Sequence, residues 1–347
     1  MLFNIQSGNY KVVPITVLYD GISLKPHIEN AASTLQYYTL SADGNRALIA
    51  ARGDIFSLPA EKGYVKNLTQ TTGVAERYPN WSPDGKTLAY WSDKSGEYEL
   101  YFNENGKETK VTSLGPGFRY SLFWSPDSKK LAFIDKAMKI MIFDRSSFTV
   151  TEVDHMLRAT HGSLEGFVAS WSSDSRYLTY SRDLDNNHQS VFIYDYTTKK
   201  NTQVTSGYYN AYAPTFDPEN KYLYVLTDRH FDPSYSSIDA TFIYSNSTQV
   251  AAITLKNSTP SPLAPENDTM GIKSDATAAD SKDDKKTKTD KDKKDAPKGT
   301  TIDFDGFESR MVILTESAGN YYALSASKGK VFYLHLTNTG SAENKAS

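Results

Sequence analysis

The sequence predicts an all-β fold, a β-propeller built from four-stranded blades, and two observations carry this prediction. The first is a turn that recurs along the chain, most clearly as Trp-Ser-Pro-Asp-Gly at residues 81–85. Each position suits a turn, because proline fixes φ, aspartate bonds to nearby backbone and glycine accepts a positive φ. The second is that the stretches flanking the turn alternate bulky and small residues, as half-buried strands do.

Weaker copies of this turn follow the same plan, in which a bulky residue precedes a serine or aspartate and then further turn residues. The copies begin at Leu40, Trp81, Trp124, Trp171 and Phe216, with a sixth, degraded copy at Leu324. The first five are spaced by 41, 43, 47 and 45 residues, a period that is typical of propeller blades. We therefore expect about six blades in residues 25–337, with the bulky residues packed between neighbouring blades.

The two ends of the chain carry strands that do not complete a blade by themselves. They are Leu2 to Gln6 and Val12 to Tyr19 within an N-terminal segment (1–24), and Tyr321 to Leu324 and Lys330 to Leu336 ahead of a tail (338–347). Joining the two ends would close a six-bladed ring and remove its open sheet edges. Alternatively, the N-terminal segment ends one propeller and the remaining blades belong to a second, truncated one. The sequence pattern at the two ends is compatible with both a closed six-bladed ring and a truncated second propeller.

The fifth blade is interrupted by a long insert at residues 257–301. Its section from Lys273 to Lys298 holds nine lysines, seven aspartates and no aromatic residue. Such a segment cannot bury enough apolar surface to offset the entropy lost on ordering, so we predict that it is disordered. Strand patterns at Gln249 to Leu255 and Ser309 to Thr315 supply the third and fourth strands of this blade.

Composition excludes several classes of function. The 347 residues are 39% apolar, which suffices for one large core, and a net charge of −3 gives no reason to expect a nucleic-acid partner. No apolar run is long enough to span a membrane, so no membrane partner is expected. The absence of cysteine rules out disulfides and is compatible with the cytoplasm, the expected location. A periplasmic protein would need a signal peptide ahead of Met1.

No catalytic set, cofactor site or metal site is predicted. Residues 162–166 resemble a nucleophile elbow, but the serine stands beside the first glycine instead of at the centre. The six histidines never pair at the spacing of metal ligands. Asp183, Asp185 and Asn187 could contact calcium, yet no bidentate glutamate follows at loop distance, which favours a solvated turn.

One face of the propeller collects the loops between strands two and three and the connections to the next blade. The candidate peptide-binding residues on this face are Arg77, Arg119, Tyr120, Glu165 and Tyr212. Arginine and aromatic side chains around a pore offer both contact area and directed hydrogen bonds. The alternative is that the tyrosines pack between blades and the charges are merely solvated.

Five residues stand four places before the bulky positions, and we expect them at similar heights where the inner strands begin. They are Gln36, Arg77, Tyr120, Phe167 and Tyr212. Among the candidate residues, Arg77 and Arg119 are best suited to hold a peptide carboxylate, because a guanidinium matches its geometry.

Several runs resemble the propeller region of tricorn-like proteases, which are serine peptidases. The runs are Ala51 to Ala60, Gly73 to Gly85, Ser95 to Tyr101 and Ile302 to Arg310. The likeness covers nearly the whole chain apart from the charged insert. It implies that a complete family member has a six-bladed and a seven-bladed propeller, followed by a helical region, a PDZ domain and a peptidase domain. By this likeness the chain is mostly the seven-bladed unit, which favours truncation, and the parts expected to carry catalysis are missing.

Our first hypothesis is therefore a non-catalytic propeller module of a tricorn-like serine protease that gates or docks peptides for proteolysis. Its expected partners are peptides or unfolded protein segments, the helical, PDZ and protease domains, and further copies of itself in a homo-oligomer. One alternative is a stand-alone propeller that binds a protein partner, similar to that of the Tol system. Another is the propeller of a prolyl-oligopeptidase-like hydrolase. Only the first explains the matching runs on both sides of the insert.

Overall fold

The computed structural model describes residues 1–16, 30–158, 164–236, 238–265 and 299–339. The charged tract from Lys273 to Lys298, for which disorder is predicted, lies outside these residues. The chain divides into two compact units, Met1–Thr34 and Leu35–Ser347. Among the residues described, no helix has the length and apolar character needed to cross a membrane.

The first unit contains one small hairpin. Strands β1 (Leu2–Phe3) and β2 (Tyr10–Lys11) pair in an antiparallel sheet of their own. The expectation of a strand beginning at Val12 is wrong over residues 12–16, where the described backbone has no strand partner. Pro14 explains this, since proline cannot donate to a strand ladder. The rest of that expected strand, residues 17–19, lies outside the described residues.

The second unit begins with four four-stranded antiparallel sheets, each formed by consecutive strands. Blade 1 holds β3 (Leu35–Leu40), β4 (Arg46–Ala51), β5 (Asp54–Pro59) and β6 (Lys66–Asn67), and blade 2 holds β7 (Glu76–Trp81), β8 (Leu88–Ser92), β9 (Glu99–Glu104) and β10 (Lys107–Lys110). Blade 3 holds β11 (Phe123–Trp124), β12 (Lys130–Ile134), β13 (Lys139–Asp144) and β14 (Thr149–His155), and blade 4 holds β15 (Ala169–Trp171), β16 (Tyr177–Asp183), β17 (Gln189–Asp195) and β18 (Lys200–Gln203). The predicted all-β propeller architecture is confirmed.

Blade 5 contains two excursions from the simple plan. Its chain runs through β19 (Ala211–Phe216), β20 (Tyr222–Thr227), β21 (Ser234–Tyr235), β22 (Phe242–Ile243), β23 (Gln249–Thr254) and β24 (Met311–Ile313). The sheet order is β19-β20-β23-β24, while β21 and β22 form a separate hairpin between the second and third strands. The third and fourth strands therefore lie where the sequence predicts them, on either side of the insert.

The chain's last described strands, β25 (Asn320–Ser327) and β26 (Lys330–Leu336), form a two-stranded sheet. The prediction of a long turn after Leu324 is wrong, because β25 continues to Ser327 and pairs it with Lys330. Only Lys328 and Gly329 make the turn, and Gly329 has a φ of +66°, which suits a two-residue hairpin.

The tryptophans at the bulky positions pack between blades, as predicted. The Nε1 atom of Trp124 donates to the Asn80 carbonyl at 3.3 Å, and that of Trp171 donates to the Phe123 carbonyl at 3.0 Å. Each indole thus binds the backbone of the preceding blade. Trp81 packs against the apolar cluster that blades 1 and 2 share. These rings stabilise the stacking of the blades and are not free to serve as ligand platforms.

Candidate functional site

A strained bulge at the start of β7 organises the candidate site. The register of β7 and β8 shifts between Arg77 and Asn80, and within this bulge Tyr78 has a φ of +51°. Corresponding bulges in β19 and β25 hold Ala213 and Ala323 at φ values of +48° and +53°. A bulky residue in this region of φ is uncommon, and bulges commonly re-aim a side chain near a functional site. Blade 2 places a tyrosine where the other two bulges carry alanine.

Tyr78 joins two separate parts of the propeller. Its hydroxyl donates to Oε1 of Glu165 at 3.4 Å, across 87 residues of sequence. Its ring is only 7% exposed and meets Tyr37 edge-on, with a centroid separation of 5.2 Å. Burial, and then the negative charge of Glu165, raise the pKa of Tyr78 well above its ordinary value. The phenol therefore stays protonated and remains a hydrogen-bond donor to Glu165.

Arg77 is held on the other side of the same cavity. Its Nε donates to the Tyr98 hydroxyl at 3.0 Å and its Nη1 to Oε1 of Gln36 at 3.1 Å. The guanidinium carbon lies 5.7 Å from the centre of the Phe118 ring, within cation–π range. These contacts fix the guanidinium plane while Arg77 remains half-buried and open to the cavity.

The cavity between these groups has a volume of about 190 Å³. We call it the mouth, and it is lined by Gln36, Tyr37, Ala50, Arg77, Tyr78 and Glu165. It presents one guanidinium, one carboxylate and aromatic walls in a small volume. Such a set can hold a polar chain by a planar fork of donors on one side and an acceptor on the other.

Arg119 does not line the mouth, and its role in holding a peptide carboxylate stays a prediction. Its side chain is only 4% exposed. Its Nη1 donates to the carbonyls of Tyr98 and Gly117 at 2.6 and 3.0 Å, and its Nη2 to the Gly115 carbonyl at 3.0 Å. Both terminal nitrogens of the guanidinium are thus bonded to backbone carbonyls, while its Nε is buried without a hydrogen-bond partner among the described residues.

The two candidate tyrosines have different positions. Tyr120 supports the mouth from behind, since its ring packs on Phe118 at 5.0 Å and on Tyr78 at 6.2 Å. Burial, and then the charge of Glu165, raise the pKa of Tyr120. Tyr212 lies in blade 5, where its hydroxyl contacts Thr248 at 3.0 Å. It ties strands of that blade together and does not line the mouth.

The predicted ring at the start of the inner strands is therefore only partly assembled. Gln36 and Arg77 meet directly, and Tyr120 lies behind them, whereas Phe167 is buried against Phe123 at 5.9 Å. Sequence reasoning missed Tyr78, the residue that crosses to Glu165. In the part of the chain that the structure describes, no group of three His, Asp or Glu side chains is placed to hold a metal ion.

Comparison with known proteins identifies one family. The sequence profile described as "Tricorn protease second beta propeller domain" matches residues 35–347. "Tricorn protease homolog 1" of Streptomyces coelicolor is 25% identical over 333 residues, which are 92% of this chain and 29% of that protein. "Tricorn protease" of Thermoplasma volcanium is 29% identical over 195 residues, 54% of this chain and 18% of that protein.

The fold agrees with that of a solved relative. The crystal structure of the tricorn protease aligns with a TM-score of 0.70 at 19% identity and covers 97% of this chain and 30% of that one. At this identity the likeness shows the fold. The chain spans less than a third of the length of each of these relatives.

Proposed function

Residues 35–347 belong to the family of the second β-propeller domain of tricorn proteases, and on this premise we propose that the chain docks and gates peptides for a serine protease. In this proposal the propeller is the non-catalytic module of a tricorn-like enzyme. Hydrolysis takes place on a peptidase domain, which with helical and PDZ domains completes the enzyme. The propeller receives peptides or unfolded protein segments and passes them on, and further copies of the enzyme associate in an oligomer.

The observation that carries the proposal is the arrangement of Arg77, Tyr78 and Glu165 around the mouth. A guanidinium fixed by neighbouring side chains loses little freedom when it binds a carboxylate or a carbonyl, so it recognises peptides at low entropic cost. Glu165 offers a complementary acceptor for backbone N–H groups or a terminal amine. The surrounding tyrosines supply contact area that is largely independent of peptide sequence.

The mouth also suits gating. Tyr78 extends from blade 2 and contacts Glu165 in the segment before blade 4. This contact therefore narrows the mouth, which both residues line. A bond of 3.4 Å between an exposed carboxylate and a phenol is weak, and a peptide can replace it. A module that passes many different peptides requires a binding site of low sequence specificity. It also requires that the contact closing this site, here the Tyr78–Glu165 hydrogen bond, be weak.

Binding of a fluorescein-labelled peptide with a free C-terminal carboxylate tests this proposal. Arg77→Ala should weaken binding by about tenfold, which corresponds to ~1.4 kcal/mol. Arg77→Lys should recover only part of the affinity, since it keeps the charge but lacks the planar fork. The matched control is Lys86→Ala, which removes an exposed cation from a turn on the opposite face. Unchanged affinity in Arg77→Ala would contradict the proposal.

A further inference from the structure

Blade 5 carries an exposed aromatic projection that the mouth does not account for. Between β20 and β23 the chain leaves the sheet and forms the β21–β22 hairpin, which we call the arm and define as residues 231–236 and 238–244. Six of its apolar side chains are 48–96% exposed. They are Phe231, Tyr235, Ile238, Phe242, Ile243 and Tyr244.

The arm is held at its base and open along its length. Arg229, just before it, forms an ion pair with Glu308 and lies 5.9 Å from the centre of the Tyr209 ring. Beyond this anchor, the strand pairs within the described residues of the arm are Ser234 with Ile243 and Tyr235 with Phe242. Two-stranded hairpins are marginally stable in water unless something packs on them. Among the described residues of the arm, the ring pairs Tyr235–Phe242 at 5.8 Å and Phe231–Tyr244 at 5.9 Å supply the aromatic packing.

The arm lies on the same face of the propeller as the mouth. Thr227, the last residue of β20, pairs with Ala211 at the start of β19. Trp91, near the end of β8, pairs in the same way with Arg77 at the start of β7. Because the blades repeat one strand order, the loop after the second strand leaves each blade beside the start of its inner strand. A peptide that approaches this face of the propeller can therefore meet both the arm and the mouth.

The charges of the arm indicate what it binds. Residues 230–244 contain two aspartates and no lysine or arginine. Both aspartates, Asp232 and Asp239, are exposed. Hydrogen bonds from Ser236 and Thr241 hold the pKa of Asp239 below its ordinary value, so this carboxylate stays ionised at neutral pH. Carboxylates beside exposed aromatic rings complement lysine or arginine side chains, which bind both partners at once.

We infer that the arm captures extended polypeptide segments that are both basic and apolar, and that it holds them beside the mouth. This rests on the proposed function and adds to it a substrate preference that the mouth alone does not have. Among the described residues, the outer edges of β21 and β22 have no strand partner. They can add an extended segment as a further strand, while its apolar and basic side chains alternate between the rings and the two carboxylates. A peptide held on the arm is already concentrated at the mouth.

Three labelled peptides of equal length test the inference by fluorescence anisotropy with the purified chain. One alternates lysine with leucine, the second replaces lysine by glutamate, and the third replaces leucine by serine. The lysine–leucine peptide should bind at least about tenfold more tightly than either of the others. The double variant Phe231→Ser/Ile238→Ser should lose about tenfold in affinity for it, and Asp232→Asn/Asp239→Asn should lose about threefold and show less dependence on salt.

The matched control is Tyr64→Ser/Val65→Ser. These two side chains are 76% and 58% exposed on the connection between β5 and β6, which lies on the opposite face. This control should bind the lysine–leucine peptide as the unaltered chain does. Thermal unfolding of every variant verifies that the propeller remains folded.

Each other result overturns the inference. Equal affinity in the arm variants would do so, and so would equal affinity for the three peptides. If the unaltered chain self-associates in sedimentation and the arm variants do not, while peptide binding is unchanged, the arm binds a second copy instead. If Arg77→Ala loses affinity for the lysine–leucine peptide while the arm variants bind it normally, the arm does not capture peptides and the proposed function of the mouth is still supported. Failure of all three peptides to bind the unaltered chain contradicts both.

Discussion

The backbone N–H of Asp84, in the turn of blade 2, donates to Oγ of Ser128, in the turn of blade 3, at 3.1 Å. Ser128 has a φ of +59° and occupies the position where the first two turns carry Gly44 and Gly85. The next turns repeat the link, with Ser175 accepting from the N–H of Asp127 at 2.9 Å and Asn220 from that of Ser173 at 3.1 Å. In these later copies of the turn, the serine or asparagine that replaces glycine therefore links successive blades through its side chain.

The first prediction concerns this bridge. Ser128→Ala should lower the free energy of unfolding by about 1 kcal/mol, because it removes a hydrogen bond and keeps the unfavourable φ. Ser128→Gly should cost less, since glycine relieves the backbone strain while losing the same bond. Urea unfolding measures both, with the exposed Ser146→Ala as the control. If alanine and glycine gave equal stability, strain and bridge would not both act at this position.

The second prediction separates the two arginines that the sequence alone treats as equivalent. Arg119→Ala should lower the free energy of unfolding by about 3 kcal/mol or more, because the carbonyls that it binds lose charge-assisted hydrogen bonds within a buried site. Affinity for peptide, expressed per folded molecule, should remain unchanged. Chemical denaturation and peptide binding on the same preparation test this. A stable Arg119→Ala variant with weakened binding would restore the original interpretation.

The third prediction is a dependence of stability on acid pH. Burial would raise the pKa of Asp127, but hydrogen bonds from Ser125 and the Lys129 backbone outweigh it, so the pKa of Asp127 lies below its ordinary value. The turn aspartates Asp84 and Asp174 behave alike. Ionisation of these aspartates therefore stabilises the folded state. Because their pKa values are lower in the folded than in the unfolded chain, this contribution to stability is complete above the unfolded pKa of ~3.9 and is lost as pH falls through the folded pKa.

Urea unfolding at neutral pH and at about pH 3 measures this effect. The unaltered chain should lose stability at the lower pH, and Asp127→Asn should lose less over the same interval because it has no carboxylate to protonate there. An equal loss in both proteins would show that the stability of the turns does not depend on the charge of Asp127.

The parts of this structure that follow from local sequence were predictable. Turn chemistry and a repeat of 41 to 47 residues predicted the blades, whereas the turn before β26 was predicted too long, because Ser325 to Ser327 belong to β25. The role of Arg119 could not be predicted, because the direction of a side chain at a strand entrance depends on register. Likewise, the bulge that turns Tyr78 toward Glu165 leaves no mark in the sequence, since two other bulges of this kind hold alanine.

Photo-crosslinking can show whether peptides bind at the mouth around Arg77. A peptide carrying a photoreactive phenylalanine analogue is irradiated with the purified chain, and the modified residues are mapped by mass spectrometry. We expect crosslinks at Gln36, Tyr37 and Tyr78, with others on the arm, and we expect them to disappear when unlabelled peptide competes. Crosslinks confined to the Ser-Pro-Asp-Gly turns on the opposite face, or spread evenly and insensitive to the competitor, would contradict binding at the mouth.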